Sequence, residues 1–178
     1  MEETSESPAI TPRSTGIRYG IILGTISIAY FLIFVITDMD MSKGLGRWGT
    51  SLIAIVIVFL AHKYFKDNAD GFMSYGQGVG IGFWVGLVSA VIGNLFTYIY
   101  VKFIDDGFIA TIRENALRDM ENQGQSDEQI EMAMKFVNIM TGAEALVLIG
   151  LFFGILMLVI IALIVSLITQ KPQPEKFA

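Results

Sequence analysis

Cysteine is absent from the 178 residues, histidine occurs once, and only 16% of positions are Asp, Glu, Lys or Arg. Without thiols there are no disulfides, thiolate metal sites or cysteine nucleophiles, and the redox compartment stays open. One histidine, with no clustered carboxylates inside the apolar runs, argues against a metal centre. That residue, His62, borders Lys63 at the end of an apolar run, which predicts an interfacial, solvated imidazole. Neither HExxH nor GxSxG occurs, and Ser51, Ser89 and Ser166 have no histidine at a suggestive position. The run Gly76-Gln77-Gly78-Val79-Gly80 lacks the lysine and the preceding strand of a phosphate-binding loop. A net charge of −5 offers no basic patch for nucleic acid. No catalytic constellation and no cofactor motif emerges, so an enzyme is not expected.

Apolar residues are abundant instead: 53% of the chain, with a mean hydropathy of +0.60. Four windows carry no charge: Tyr19–Thr37, Trp48–His62, Gly71–Val101 and Ala145–Gln170, of 19, 15, 31 and 26 residues. A helix needs roughly 20 apolar residues to cross a bilayer core. The second window is short, but Leu52–Ala61 is solidly apolar and Arg47, Lys63 and Lys66 can snorkel from its ends. The chain therefore reads as an all-α integral membrane protein. Its four transmembrane helices are expected at residues 17–37, 46–64, 79–101 and 145–169, within a membrane domain spanning 16–170. Residues 1–15, with Pro8 and Pro12, read as a disordered tail, and 171–178, with Pro172 and Pro174, as a frayed one. A cleavable signal peptide is not expected, and the first helix should serve as an uncleaved anchor.

Between the third and fourth crossings, residues 105–141 predict an extramembrane amphipathic helical hairpin. Ile109, Ile112, Ala116 and Met120 recur at helical spacing, and Asn122–Gln125 interrupts the pattern at Gly124. Ser126 and Gln129 form a capping box, with Asp127 and Glu128 in the first turn, and Ile130, Met134 and Val137 continue the stripe. Asp105–Asp106 reads as an N-cap.

Four crossings put both termini on one side. Lys and Arg divide six against six: Arg13, Arg18, Lys63, Lys66, Lys171 and Lys176 on the terminal side, and Lys43, Arg47, Lys102, Arg113, Arg118 and Lys135 on the other. The third connection sets nine acidic residues beside its four basic ones, whereas Lys63 and Lys66 adjoin membrane helices directly. The positive-inside rule then places both termini in the cytoplasm.

Small residues carry the strongest packing signal. Gly78, Gly82, Gly86, Ser89, Gly93 and Thr97 form one bare face of the third crossing, a glycine zipper. The first crossing has Gly16, Gly20 and Gly24, and the fourth has Gly150 and Gly154. Removing side chains lets helix backbones approach where lipid offers no hydrophobic drive. Matching depths predicts the third helix as a centre post, with Gly20–Gly24 level with Gly78–Gly86 and Gly150 and Gly154 level with Gly93 and Asn94; cysteine pairs at 20/82 and 150/93 are expected to cross-link. The second helix, with only Gly49 and Ala54, is expected at the periphery. Asn94 beside the bare face suits an interhelical hydrogen bond, and Glu144 suits a helix start.

Phe72-Met-Ser-Tyr-Gly-Gln-Gly, Tyr98-Ile-Tyr-Val-Lys-Phe-Ile-Asp and Met120-Glu-Asn-Gln-Gly-Gln-Ser-Asp-Glu-Gln-Ile together resemble the bacterial membrane proteins grouped as domain of unknown function 4199. The resemblance covers residues 15–170. It implies four crossings in a bacterial inner membrane, and it supplies no functional residues. The expected role is a non-enzymatic structural or accessory membrane component; the alternative is a small, oligomeric channel or transporter with Asn94, Ser89 and Thr97 lining a path. The partners expected are the lipid bilayer and a second copy or another membrane protein.

Overall fold

The computed structural model describes residues 10–37, 44–105 and 107–174. The expectations for residues 1–9, Asp38–Lys43, Asp106 and 175–178, and for the Arg47 side chain, lie outside the described residues. Among the described residues six helices follow in chain order: α1 (Pro12–Ile36), α2 (Gly44–Asn68), α3 (Tyr75–Phe103), α4 (Phe108–Asn122), α5 (Asp127–Met140) and α6 (Ala143–Thr169). No strand occurs among the described residues. Four helices are long and apolar enough to cross a membrane: Pro12–Ile36, Trp48–Asn68, Tyr75–Phe103 and Ala143–Thr169.

Local chemistry sets the helix starts. Thr11 and Ser14 cap each other reciprocally at 3.0 Å, with Pro12 at the first helical position, so α1 begins ahead of its predicted start. Ser74 and Gln77 do the same for α3, at 2.7 and 3.2 Å. This second box follows Gly71, whose φ of +82° is a left-handed conformation that glycine adopts without strain. The Ser126–Gln129 box forms as expected.

The chain divides into two compact units, Met1–Ile92 with Gly154–Ala178, and Gly93–Phe153. In the first, the core joins Leu23 of α1, Ala54, Ile57, Val58, Ala61 and Phe65 of α2, Ile81 and Val85 of α3, and Ile161, Ala162 and Val165 of α6. Met73, in the α2–α3 turn, is fully buried with them. The expectation of a peripheral α2 is therefore corrected: 39% of its apolar window is buried, against 11% for α6. Its inner face is made of branched and aromatic side chains, which a search for glycine overlooks.

In the second unit, α4 and α5 are in contact and joined through Gly124, whose φ is +71°. Arg113 Nε donates to Thr141 Oγ1 at 2.8 Å and its Nη2 to the Asn138 carbonyl at 3.2 Å, so the start of α4 lies beside the end of α5. The N-cap of α4 is Gly107, with no side-chain cap; Asp105 Oδ1 accepts from the Gly107 N–H at 3.0 Å instead.

Candidate functional site at a buried histidine

The helix-packing residues come first, because they position everything else. A Cβ on Gly16 would meet Trp84 and Ile81, one on Gly20 would meet Val88 and Val85, and one on Gly24 would meet Ile92. Trp84, Val88 and Ile92 climb α3 in steps of four as the glycines climb α1, so the two helices run parallel. A Cβ on Gly78 would meet Ser166, one on Gly82 Ala162, and one on Gly86 Leu158. Here each step up α3 is a step down α6, and the pair is antiparallel. Gly154 lies against Ala90, continuing that register. Ser89 is buried and its hydroxyl donates to the Gly86 carbonyl at 3.3 Å. In the second unit, Gly150 lies against the Asn94 side chain, whereas Gly93 has open space beside it.

These placements correct the predicted pairings. Gly20 does not face Gly82; Gly150 lies at the expected level, but against the Asn94 side chain and not against Gly93. A glycine face is a groove, and dispersion favours filling it with atoms rather than leaving two grooves opposed. The α1 groove takes the branched knobs of α3, and the α3 groove takes Ser166, Ala162 and Leu158 of α6.

At the end of this packing lies the one histidine. His62 is fully buried, not solvated as its neighbour Lys63 had suggested. Its Nε2 lies 2.9 Å from the Gly78 carbonyl of α3 and its Nδ1 lies 2.8 Å from Thr169 Oγ1 of α6. A carbonyl only accepts, so Nε2 carries the hydrogen and donates. In the neutral ring Nδ1 then accepts from the Thr169 hydroxyl. That hydroxyl also lies 2.8 Å from the Val165 carbonyl, and its single hydrogen serves one acceptor at a time. One turn beyond His62, Lys66 Nζ donates to the Thr169 carbonyl at 2.8 Å. A cation there satisfies an orphan carbonyl at the C-terminus of α6 and opposes the negative end of its dipole.

Two further connections close this end. Met73 and Lys171 exchange backbone hydrogen bonds at 2.8 Å each, fixing the chain after α6 to the α2–α3 turn. Ser166 is fully buried beside Gly78, and its hydroxyl has no hydrogen-bond partner. Thr15 of α1 is likewise buried with an unpartnered hydroxyl. The cluster ties α2, α3 and α6 through one ring. Among the described residues the two ring nitrogens meet a backbone carbonyl and a hydroxyl, not a carboxylate. Sequence reading missed Thr169 and Gly78 as histidine partners, since residues so far apart in the chain meet only through tertiary packing. The Ser74–Gln77 box was readable from its S-x-x-Q spacing.

An all-helical chain with four long apolar helices, internally filled glycine grooves and a buried imidazole strap is the class that this geometry defines. The chain belongs to the family described as Protein of unknown function (DUF4199), which it matches over residues 18–171, in agreement with the resemblance of its sequence motifs. No curated protein and no solved structure matches it.

Proposed function

We propose that the chain is a multi-pass integral membrane protein that acts as a non-enzymatic structural or accessory component. In this reading its four long helices cross a bacterial inner membrane, both termini face the cytoplasm, and α4 and α5 form an extramembrane hairpin. The observation that carries the role is the internal filling of both glycine grooves. Within the first unit the bare faces from Gly16 to Gly24 and from Gly78 to Gly86 are consumed in holding the helices together, which supports a packing role over a lined path. Large apolar side chains on the outside of the same helices, Ile21, Ile33, Leu52, Val56, Phe59, Ile164 and Leu167 among them, support immersion in lipid.

A channel or transporter is the second reading, and one observation favours it: an ionisable ring buried within an apolar helix, a feature common on transport routes. Flux across reconstituted vesicles separates the two. Wild type, Asn94→Leu and His62→Gln protein should all be silent under proton, ion and solute gradients. Flux in the wild type that either variant abolishes would overturn the structural role.

A further inference from the structure

Lys and Arg are evenly divided by sequence, but their surroundings are not alike. In the unit that holds both ends of the chain, Arg13, Arg18, Lys63, Lys66 and Lys171 gather where α1 begins and where α2 and α6 end. Arg18 Nη1 donates to the Tyr64 hydroxyl at 2.6 Å and its guanidinium lies 4.5 Å over that ring. Arg13 lies 4.8 Å over Trp84, and Lys171 Nζ lies 5.3 Å over Phe72. Lys66 is held by the Thr169 carbonyl, and Lys63 is exposed. Among the described residues none of these five is ion-paired. Asp67 and Asp70 are the acids beside them; Asp70 accepts from the Phe72 N–H at 3.1 Å and from the Gln173 amide. Glu2, Glu3, Glu6 and Glu175 of the tails lie outside the described residues.

In the other unit three of the four cations are ion-paired; the fourth, Arg113, donates to Thr141 and the Asn138 carbonyl, and Lys102 also lies 5.0 Å over the Tyr98 ring. Lys102 pairs with Glu144 at 3.0 Å, Arg118 with Glu114 at 2.6 Å and Lys135 with Glu131 at 2.9 Å. A carboxylate neutralises the charge it holds. An aromatic face holds a cation through its quadrupole and leaves the charge whole. Three cations of the second unit are thus matched by carboxylates, whereas the five of the first unit keep their charge unmatched among the described residues.

We propose that this aromatic-backed rim is a docking surface for the phosphate headgroups of anionic phospholipid in the leaflet beside the termini. The proposal rests on the four-crossing reading above. Tyr and Trp rings settle at headgroup level, and long Arg and Lys stems carry their charges out to it. The negative surface potential of an anionic leaflet attracts them there.

The test titrates full-length protein in mild detergent with phosphatidylglycerol, phosphatidylcholine or inorganic phosphate, reading lipid retention by native mass spectrometry and Tm by scanning. Phosphatidylglycerol should be retained and raise Tm, in a salt-sensitive way; the other two should do neither. The variant R13Q/R18Q/K63Q/K171Q should lose the response, and K102Q/R118Q/K135Q should keep it. Because Arg13 and Arg18 also pack on rings, Lys63→Gln is the safeguard against misfolding. Lys63 is exposed, with no hydrogen bond or ion pair among the described residues, and its loss should lower retention about five-fold, the share of one cation near an anionic surface. Undiminished retention in Lys63→Gln and the fourfold variant, or equal retention of phosphatidylcholine, overturns the proposal. An equal Tm rise with inorganic phosphate overturns it too, in favour of a free-anion site. Alkaline extraction is run alongside: release from membranes removes the four-crossing reading and this proposal with it, whereas firm retention without lipid selectivity removes this proposal alone.

Discussion

His62 joins three helices through two hydrogen bonds, so truncating it removes a donor from the Gly78 carbonyl and one of the two partners of the Thr169 hydroxyl. His62→Ala should lower stability by about 2–4 kcal/mol, combining two lost hydrogen bonds with a cavity. Unfolding in mild detergent measures this, and a double-mutant cycle with Thr169→Val should return a coupling of about 0.5–3 kcal/mol, as residues in direct contact do. Additive effects would mean that the ring and the hydroxyl do not meet. Glycine offers a second contrast at this scale. A methyl at Gly82 overlaps the Ala162 side chain, which has no rotamer to escape into, whereas a methyl at Gly93 enters open space. Gly82→Ala should therefore cost about 1–3 kcal/mol through overpacking, and Gly93→Ala should gain about 0.5–1 kcal/mol from helix propensity. The environment of His62 was hidden in the sequence for a plain reason. His62 and Lys63 are adjacent in the chain but about 100° apart around the helix, so the charge of Lys63 points out while the ring points in. Lys66, one turn on, shares the inner face and was the better guide.

Elements were more legible than their contacts. The lengths of the apolar runs located the four long helices, and α2 extends past its short uncharged window, carrying Lys63 and Asp67 exposed and Lys66 half-buried against the end of α6. The Ser126–Gln129 box was readable because capping is local, needing no knowledge of the fold. Ser126→Ala should cost about 1 kcal/mol. The loss should stay local, seen as faster hydrogen exchange in the first turn of α5 with α1 and α2 unchanged. Glycine ladders were equally easy to find, but a ladder states only that something comes close. Whether the neighbour offers another glycine or a methyl depends on rotation about each helix axis, which spacing alone does not define. That is why Trp84, Val88 and Ile92 went unread as the filling of the α1 groove, although they repeat at the same step of four.

For the molecule as a whole, the decisive question is whether its grooves close within one chain or between copies, and the lack of native cysteine makes that question clean to ask. A Cβ placed on Gly154 would stand 3.4 Å from that of Ala90, close to the separation a disulfide spans. The double variant A90C/G154C should therefore oxidise rapidly to an intramolecular bridge, migrating as a monomer on a non-reducing gel and shifting on reduction. G20C/G82C should remain reduced under the same conditions, because Gly20 packs on Val85 and Val88 while Gly82 packs on Ala162. Internal packing and oligomeric packing now diverge in what the gel shows. If the α3 groove were filled by a second copy, the 90/154 pair would give a covalent dimer whose yield rises with protein concentration. A monomeric bridge independent of dilution would assign the α3–α6 register to a single chain, leaving any partner to act on the outer surfaces of the helices rather than on their glycine faces.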